Sequence, residues 1–234
     1  MAKNYFEKIV AKHHACSDGK PSIALLDIDD TLVDCRYRKK LVLDAYAKTI
    51  PDNHTYKQKI ADIKISQLEY RVYHSLDNIG VYDEDLRKSC FEYWLDHYFS
   101  KPYFLQDKAF PGAEEFTHKL AAAGIKLVYL TARDEPQMGF ATREFLKNSA
   151  FYFDTQASSL VMKKDPKEPD HQFKKRALSE IKTQGRVIVA LENELKHLNE
   201  MADTFGEALV YWRNTRYSPN PPPAHERVEI LPEF

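Results

Sequence analysis

Three short aliphatic runs punctuate the chain: Ser22–Leu26 (SIALL), Ile125–Leu130 (IKLVYL) and Arg186–Leu191 (RVIVAL). None alternates apolar with polar positions as a strand with one wet face does, so all three predict parallel strands covered on both sides. Helical spacing fills the intervals. Phe116 and Leu120 precede the second run, Phe173, Ala177, Leu178 and Ile181 precede the third, and Leu195, Leu198, Met201 and Phe205 follow it. This alternation predicts an α/β fold with a doubly wound parallel sheet and right-handed crossovers. Glu207–Trp212 predicts one further strand and Leu160–Met162 a short one. The last twenty residues, with Pro219 and Pro221–Pro223, carry no assignable pattern.

The stretch from Cys35 to Lys108 differs in kind, with a single glycine (Gly80), two prolines (Pro51 and Pro102) and nine of the fourteen tyrosines. Ile65, Leu68, Val72 and Leu76 recur at helical spacing, as do Leu86, Cys90, Phe91, Trp94, Leu95 and Tyr98, and no aliphatic run resembles a covered strand. The pattern predicts a helical insertion over residues 35–108 in a core made of residues 1–34 and 109–234. Such an insert can pack on itself and sit over a site. Phe110-Pro111-Gly112 marks its end, ahead of a helix over Ala113–Ala123.

Composition narrows the function classes. With 234 residues, 43% of them apolar, the chain is long enough to bury a core of its own. Lys and Arg number 34 against 35 Asp and Glu, a formal charge of −1 that gives no support to binding a polyanion by bulk charge. Cys16, Cys35 and Cys90 are odd in number and lack a CxxC pair, which predicts neither a zinc site nor a disulfide framework and suits a reducing cytosol. Residues 1–19 are broken by Glu7, Lys8, Lys12 and two histidines, so a continuous apolar region for export is not expected there, and no apolar run approaches the roughly 20 residues of a bilayer span. A cytoplasmic protein without a membrane partner is expected. His13 and His14 are adjacent, so a helix turns them apart, and they read as surface residues rather than metal ligands. Cys35 is either redox-sensitive or, the commoner case, a small buried filler.

Residues able to do chemistry come directly after the aliphatic runs. The first run is succeeded by Asp27-Ile28-Asp29-Asp30-Thr31-Leu32, three carboxylates where a strand ends. Like charges this close raise one another's pKa unless a hard cation such as Mg²⁺, which prefers oxygen ligands, neutralises them. An isolated DxD is more often an acidic turn in which Asp30 or Thr31 caps a helix. Here, however, the second run ends in Thr131-Ala132-Arg133-Asp134 and the third in Glu192-Asn193-Glu194. Thr131 alone reads equally well as a helix cap ahead of Pro136. In doubly wound sheets, strand ends border the ligand crevice, so the three ends are expected to converge on one pocket.

Lys174 lies within the arc of Phe173, Ala177, Leu178 and Ile181 at about 100° per residue, and an inward lysine needs an anionic partner unless it snorkels along the surface. Lys175 turns outward, while Lys163 and Lys164 come after a candidate strand and compete with Lys174 for the same role. Arg36, Arg38 and Arg133 are near the pocket in sequence. Arg36 and Arg133 are candidates for gripping a second anionic group of a substrate, against the commoner use of such arginines in ion pairs.

The sequence resembles the haloacid dehalogenase superfamily of phosphohydrolases. The likeness rests on LLDIDDTLVD, whose Asp27, Asp29 and Thr31 match the first motif, on Thr131 for the second and on Lys174 for the third. Glu192-Asn193 stands where the family usually has Asp-Asp or a spaced pair of aspartates, and the likeness spans about residues 22–212. It implies a Rossmann-like core of the haloacid dehalogenase type, with the insertion as a helical cap. It also implies an Mg²⁺-dependent phosphomonoester hydrolase acting on a small phosphorylated substrate. In that scheme Asp27 attacks phosphorus, Asp29 protonates the leaving oxygen and then activates water, and Thr131 and Lys174 hold phosphoryl oxygens. Mg²⁺ would be bound by the Asp27 carboxylate, the Asp29 main-chain carbonyl and Glu192, with Asn193 and Thr31 hydrogen-bonding behind them.

The presence of Asp29 argues against the dehalogenase branch, which needs no such acid. The spacing of Asp170-xx-Phe173-Lys174 resembles that of phosphatase domains of polynucleotide end-repair enzymes, which implies a polynucleotide end as substrate, but the near-zero charge gives that no support. Two alternatives use the same residues: a non-catalytic phospho-ligand binder, and a phosphotransferase passing phosphate from Asp27 to an alcohol.

Overall fold

A computed structural model of the chain describes residues 4–16, 19–154, 156–231 and 233–234. Parts of the N-terminal stretch, residues 1–3 with Ser17 and Asp18, lie outside the described residues. The strands in chain order are β1 (Ser22–Leu26), the two-residue β2 (Val33–Asp34) and β3 (Lys108–Ala109), β4 (Lys126–Asp134), β5 (Ser158–Lys163), β6 (Arg186–Glu192), β7 (Leu209–Trp212) and β8 (Val228–Ile230). Helix α1 (Asn4–His14) precedes β1. Between β2 and β3 lie α2 (Arg36–Thr49), α3 (Lys57–Ala61), α4 (Val72–Asp77), α5 (Glu84–Tyr98) and α6 (Lys101–Phe104). Helices α7 (Ala113–Ala122) and α8 (Glu135–Asn148) flank β4, while α9 (Asp170–Lys182) and α10 (Leu195–Thr204) flank β6.

Six strands form one sheet in the order β5-β4-β1-β6-β7-β8, every neighbouring pair parallel. Both faces are covered, which explains the missing alternation in the sequence. Ala24, Leu26, Leu127 and Tyr129 pack with Ile9, Phe116, Leu120 and Phe145 from α1, α7 and α8. Their strand neighbours Ile23, Leu25, Val128 and Leu130 pack on the other face with Phe173, Ala177, Leu198 and Met201 from α9 and α10. Each Val, Leu, Ile, Phe or Met among them, fully removed from water, contributes about 1.5–3 kcal/mol. Strand β8 was not expected: it lies at the edge of the sheet, and its pattern of one half-buried and two exposed positions hides the apolar signal. Among the described residues no helix is long and apolar enough to cross a membrane.

The helical segment has its own core, in which Leu43, Tyr46, Ile60, Leu68, Leu76 and Cys90 are buried together. Its two ends meet in the antiparallel pair β2 and β3, with Val33 opposite Ala109 and Asp34 opposite Lys108. A second attachment lies at α6, where Phe104 packs with Met138, Ala141 and Met162. The helical spacing of Ile65, Leu68, Val72 and Leu76 is interrupted: a 3₁₀ turn covers Ile65–Gln67, and α4 starts only at Val72. Other partners replace the helical hydrogen bonds in between. Lys39 Nζ donates to the carbonyls of Glu69 and Tyr70 at 2.7 and 3.1 Å, and the Glu69 N–H donates to Ser75 Oγ at 2.9 Å.

Gly185 sits in the turn between α9 and β6, against the start of β1. A Cβ there would lie 2.4 Å from the Pro21 carbonyl oxygen and 3.0 Å from Ile23 Cδ1. Gly185→Ala is therefore expected to cost about 1–3 kcal/mol, because the obstructing atom belongs to the backbone. A urea titration followed by circular dichroism should show a lowered midpoint at unchanged slope.

Candidate active site

The carboxyl ends of β4, β1 and β6 are neighbours in the sheet, so the residues just past each strand meet in space. Asp27 continues β1 by donating its N–H to the Leu191 carbonyl at 3.0 Å. The chain then turns sharply: the N–H groups of Thr31, Leu32 and Val33 all donate to the Ile28 carbonyl, at 3.3, 3.0 and 3.0 Å. Asp30 takes up the turn with φ of 53°, a left-handed conformation that Asp tolerates better than most residues. Beyond these strand ends lies a cavity of about 660 Å³, walled on the far side by Tyr70, Trp94, Tyr98, Phe99 and Phe104 of the helical segment.

Two charged networks form the floor. In the first, Lys174 Nζ donates to Asp27 Oδ1 at 2.8 Å and to Glu192 Oε2 at 2.6 Å. Thr31 Oγ1 donates to Asp27 Oδ2 at 2.7 Å and lies 3.2 Å from Asn193 Oδ1. Glu192 Oε1 accepts the N–H groups of Asn193 and Glu194, both at 3.1 Å. Lys174 thus takes the inward position that helical geometry assigns it, whereas Lys163 pairs with Asp170 at 2.8 Å and Lys164 is exposed. Asn193 is anchored in turn, its amide donating to the Arg216 carbonyl and its own carbonyl accepting from Trp212 Nε1.

Two buried carboxylates share one ammonium, and their titration reflects it. Burial and the neighbouring Glu192 push the Asp27 carboxyl up to about 7 against the pull of Lys174. Burial also raises Glu192, again opposed by Lys174. For Lys174 itself burial works against the ammonium, but the charges of Asp27 and Glu192 outweigh it and raise the pKa.

The second network surrounds Asp29. Arg133 donates from Nε to Asp29 Oδ2 at 2.8 Å and from Nη2 to Oδ1 at 2.7 Å. Arg38 Nη2 donates to Oδ1 at 2.7 Å, Cys35 Sγ to the same oxygen at 3.0 Å, and Thr131 Oγ1 reaches Oδ2 at 3.4 Å. Asp107, fully buried, bridges the two guanidiniums at 3.0 and 3.1 Å. Burial alone would raise the Asp29 pKa, but the charges of Arg133 and Arg38 hold it well below the usual carboxylate range. Arg133 therefore meets the cavity already engaged with two carboxylates, and Arg36 is bound to Asp34 Oδ1 and Oδ2 at 2.8 and 2.5 Å, outside the cavity wall.

These networks differ as places for a cation. Ligand atoms of Asp29, Cys35 and Asp107 lie within 4.8 Å of one another, but Arg38 and Arg133 already balance the two carboxylates. The first network carries two carboxylates against one lysine. Among the described residues the Asp29 carbonyl beside it accepts no hydrogen bond. Hard oxygen donors with a residual negative charge fit Mg²⁺.

A family model described as haloacid dehalogenase-like hydrolase matches residues 21–196. The chain belongs to the haloacid dehalogenase-like hydrolases. No curated protein matches its sequence. Among solved structures, it is similar to a candidate phosphatase from Clostridium difficile, with 12% identity, coverage of 87% of this chain and 90% of that one, and a TM-score of 0.56. Protein Tyrosine Kinase A of Mycobacterium tuberculosis is similar at 15% identity, with 91% and 93% coverage and a TM-score of 0.54. At these identities the likeness concerns the fold.

Sequence spacing missed part of this haloacid dehalogenase-like site. Asp107 is a lone acid far from Asp29 in the chain, and only the closure of β2 on β3 brings it beside the two arginines. The seat of Asn193 on Arg216 likewise joins residues that no motif links.

Proposed function

We propose that the protein is a phosphomonoester hydrolase working through a phosphoaspartyl intermediate on Asp27. The observation that carries this is the Asp27 carboxylate at a strand end, gripped by Lys174 on one oxygen and Thr31 on the other, with Glu192 behind the lysine. An Asp27 oxygen attacks phosphorus as the bond to the leaving oxygen breaks; Asp29, which Arg133 and Arg38 hold ionised, takes a proton from solvent as it turns from them towards the substrate and delivers it to that oxygen. Water then attacks the phosphoaspartate, Asp29 takes its proton, and phosphate and free Asp27 result. Thr131 and Lys174 bind the phosphoryl oxygens as charge shifts among them.

Mg²⁺ would be held by the Asp27 carboxylate, the Asp29 carbonyl and Glu192, with Asn193 and Thr31 steadying that set, and when bound it supplies charge neutralisation between the phosphoryl group and its nucleophile. Residues 35–108 act as a cap over a core of residues 1–34 and 109–234. The substrate is a small phosphorylated molecule met in the cytoplasm.

Purified protein is expected to hydrolyse p-nitrophenyl phosphate with Mg²⁺ and to lose that activity in EDTA. No hydrolysis at any Mg²⁺ concentration would replace the proposal with a phospho-ligand binder, and phosphorylated glycerol among the products would make the enzyme a phosphotransferase. Because Asp27 titrates at about 7, proton and cation compete for it. Mg²⁺ affinity measured calorimetrically should rise with pH up to that point, by up to about tenfold per unit, and flatten above it.

A further inference from the structure

We propose that Arg213 and Thr215, in the segment that follows β7, are positioning residues that present the Asp29 main-chain carbonyl to Mg²⁺; the inference rests on the hydrolase reading of the same site. Among the described residues, five of the six carbonyls from Ile28 to Val33 accept hydrogen bonds, and the sixth is that of Asp29. Main-chain N–H groups serve Ile28, Leu32 and Val33. The other two depend on side chains from beyond β7: Thr215 Oγ1 donates to the Asp30 carbonyl, and Arg213 Nε donates to the Thr31 carbonyl at 3.2 Å.

These two bonds bear on Asp29 through the backbone of Asp30. With φ of 53°, Asp30 is held in the left-handed region, which is costly for a residue with a Cβ. The Asp29 carbonyl belongs to the planar peptide unit that enters Asp30, so its direction follows that dihedral. On the entering side the Asp30 N–H donates to the Val33 carbonyl at 2.8 Å. On the leaving side the peptide units are held at the Asp30 and Thr31 carbonyls, by Thr215 and Arg213. Without that hold Asp30 can relax towards negative φ, and the Asp29 carbonyl turns with it.

Arg213 also joins the turn to the other acidic strand end. Its N–H donates to the Glu192 carbonyl at 2.9 Å, so one residue spans from the strand that carries Glu192 to the turn that carries Asp29. Its side chain is buried, with Nη1 donating to the Leu231 carbonyl at 2.8 Å and the guanidinium carbon 4.3 Å from the Phe234 ring and 5.3 Å from that of Phe110. Burial, with no carboxylate in hydrogen-bond contact, lowers its pKa to about 10. An apolar residue would pack against the two rings without burying a charge. What the arginine adds is its donors, one of them on Thr31.

The test titrates Mg²⁺ calorimetrically into the metal-free protein at pH 8 and sets the affinity beside the urea midpoint of each variant. Arg213→Met is expected to weaken Mg²⁺ binding about 10–100-fold and Thr215→Val about 10-fold, while Arg213→Lys, which keeps a donor for Thr31, should stay within about threefold of wild type. Turnover of p-nitrophenyl phosphate by the weakened variants should recover to within about fivefold at saturating Mg²⁺. A lowered urea midpoint with wild-type Mg²⁺ affinity would mark a purely structural role and overturn the proposal, as would an Arg213→Lys variant that binds no better than Arg213→Met. If Arg213→Met does not fold, Thr215→Val decides: it is close to isosteric and removes one half-buried hydroxyl, and an unchanged affinity overturns the proposal equally. Wild type that neither binds Mg²⁺ nor turns over substrate would instead remove the hydrolase proposal, and this one with it.

Discussion

Asp27→Asn is expected to abolish hydrolysis while making the protein more stable. The substitution is isosteric: the amide oxygen can still accept from Lys174, and its NH₂ can meet Thr31 Oγ1 in place of the hydroxyl's donation. Loss of the nucleophile should lower kcat by at least about 10⁴-fold. The stability gain arises from titration. Asp27 binds its proton more tightly folded, at about 7, than at the ordinary value of 3.8. Ionising it therefore costs the folded state progressively as pH rises from about 4 to 7, and the cost stays constant above that range. Asparagine escapes this cost and leaves Lys174 paired one-to-one with Glu192. In EDTA at pH 8 the variant should gain about 1–3 kcal/mol over wild type, and the gain should fade towards pH 4. Saturating Mg²⁺ should stabilise wild type but add little to the variant, because ligand binding stabilises only the species that binds it. Thermal melts at pH 4.5 and 8, with and without Mg²⁺, decide the matter. A variant less stable than wild type at pH 8 would mean that the Asp27 to Lys174 bond outweighs the strain of two adjacent carboxylates.

The parts of this molecule open to prediction from sequence are those whose cause is local. Covered strands need apolar side chains on both faces, so β1, β4 and β6 stand out as aliphatic runs, and Lys174 betrays its direction by sharing the arc of Phe173 and Ala177. Strand β8 escapes because an edge strand with exposed Glu229 and Ile230 has no such signature. The break at residues 68–71 escapes because helical spacing of apolar residues says which side chains are buried, not which backbone groups find partners elsewhere; Lys39 takes two of those carbonyls. Spacing also places Arg36 and Arg133 near the pocket but says nothing of direction. Arg36 turns to Asp34, two residues before it, and Arg133 to a carboxylate pair assembled from residues 29 and 107. Long-range electrostatics of this kind depends on loop closure, which no local pattern encodes.

Replacing Lys174 by methionine is the converse experiment, and its effect on the fold should exceed its effect on packing. The thioether fills most of the same volume, so what disappears is the one ammonium between Asp27 and Glu192. Removing one member of a buried ionic group leaves the remainder uncompensated, at a cost of about 3–5 kcal/mol. The sign with pH is fixed by the same residues. Without Lys174 the forces that already raise Asp27 and Glu192, burial and mutual repulsion, act unopposed, so both carboxyls hold their protons to higher pH. The deficit relative to wild type is therefore largest above pH 8, where both groups must ionise, and shrinks by pH 5, where the pair can share protons. Turnover should fall about 10²–10³-fold, since a phosphoryl-binding cation is lost. Lys163→Met provides the control: Lys163 is buried, but its partner Asp170 is 59% exposed and can turn to water when the ammonium is removed, so the loss should stay at about 1 kcal/mol. Urea titrations of the two variants at pH 5 and 8 separate the cases. A Lys163 variant as damaged as the Lys174 variant, or a Lys174 variant whose deficit does not grow with pH, would show that the charge balance at Asp27 is set by something other than Lys174.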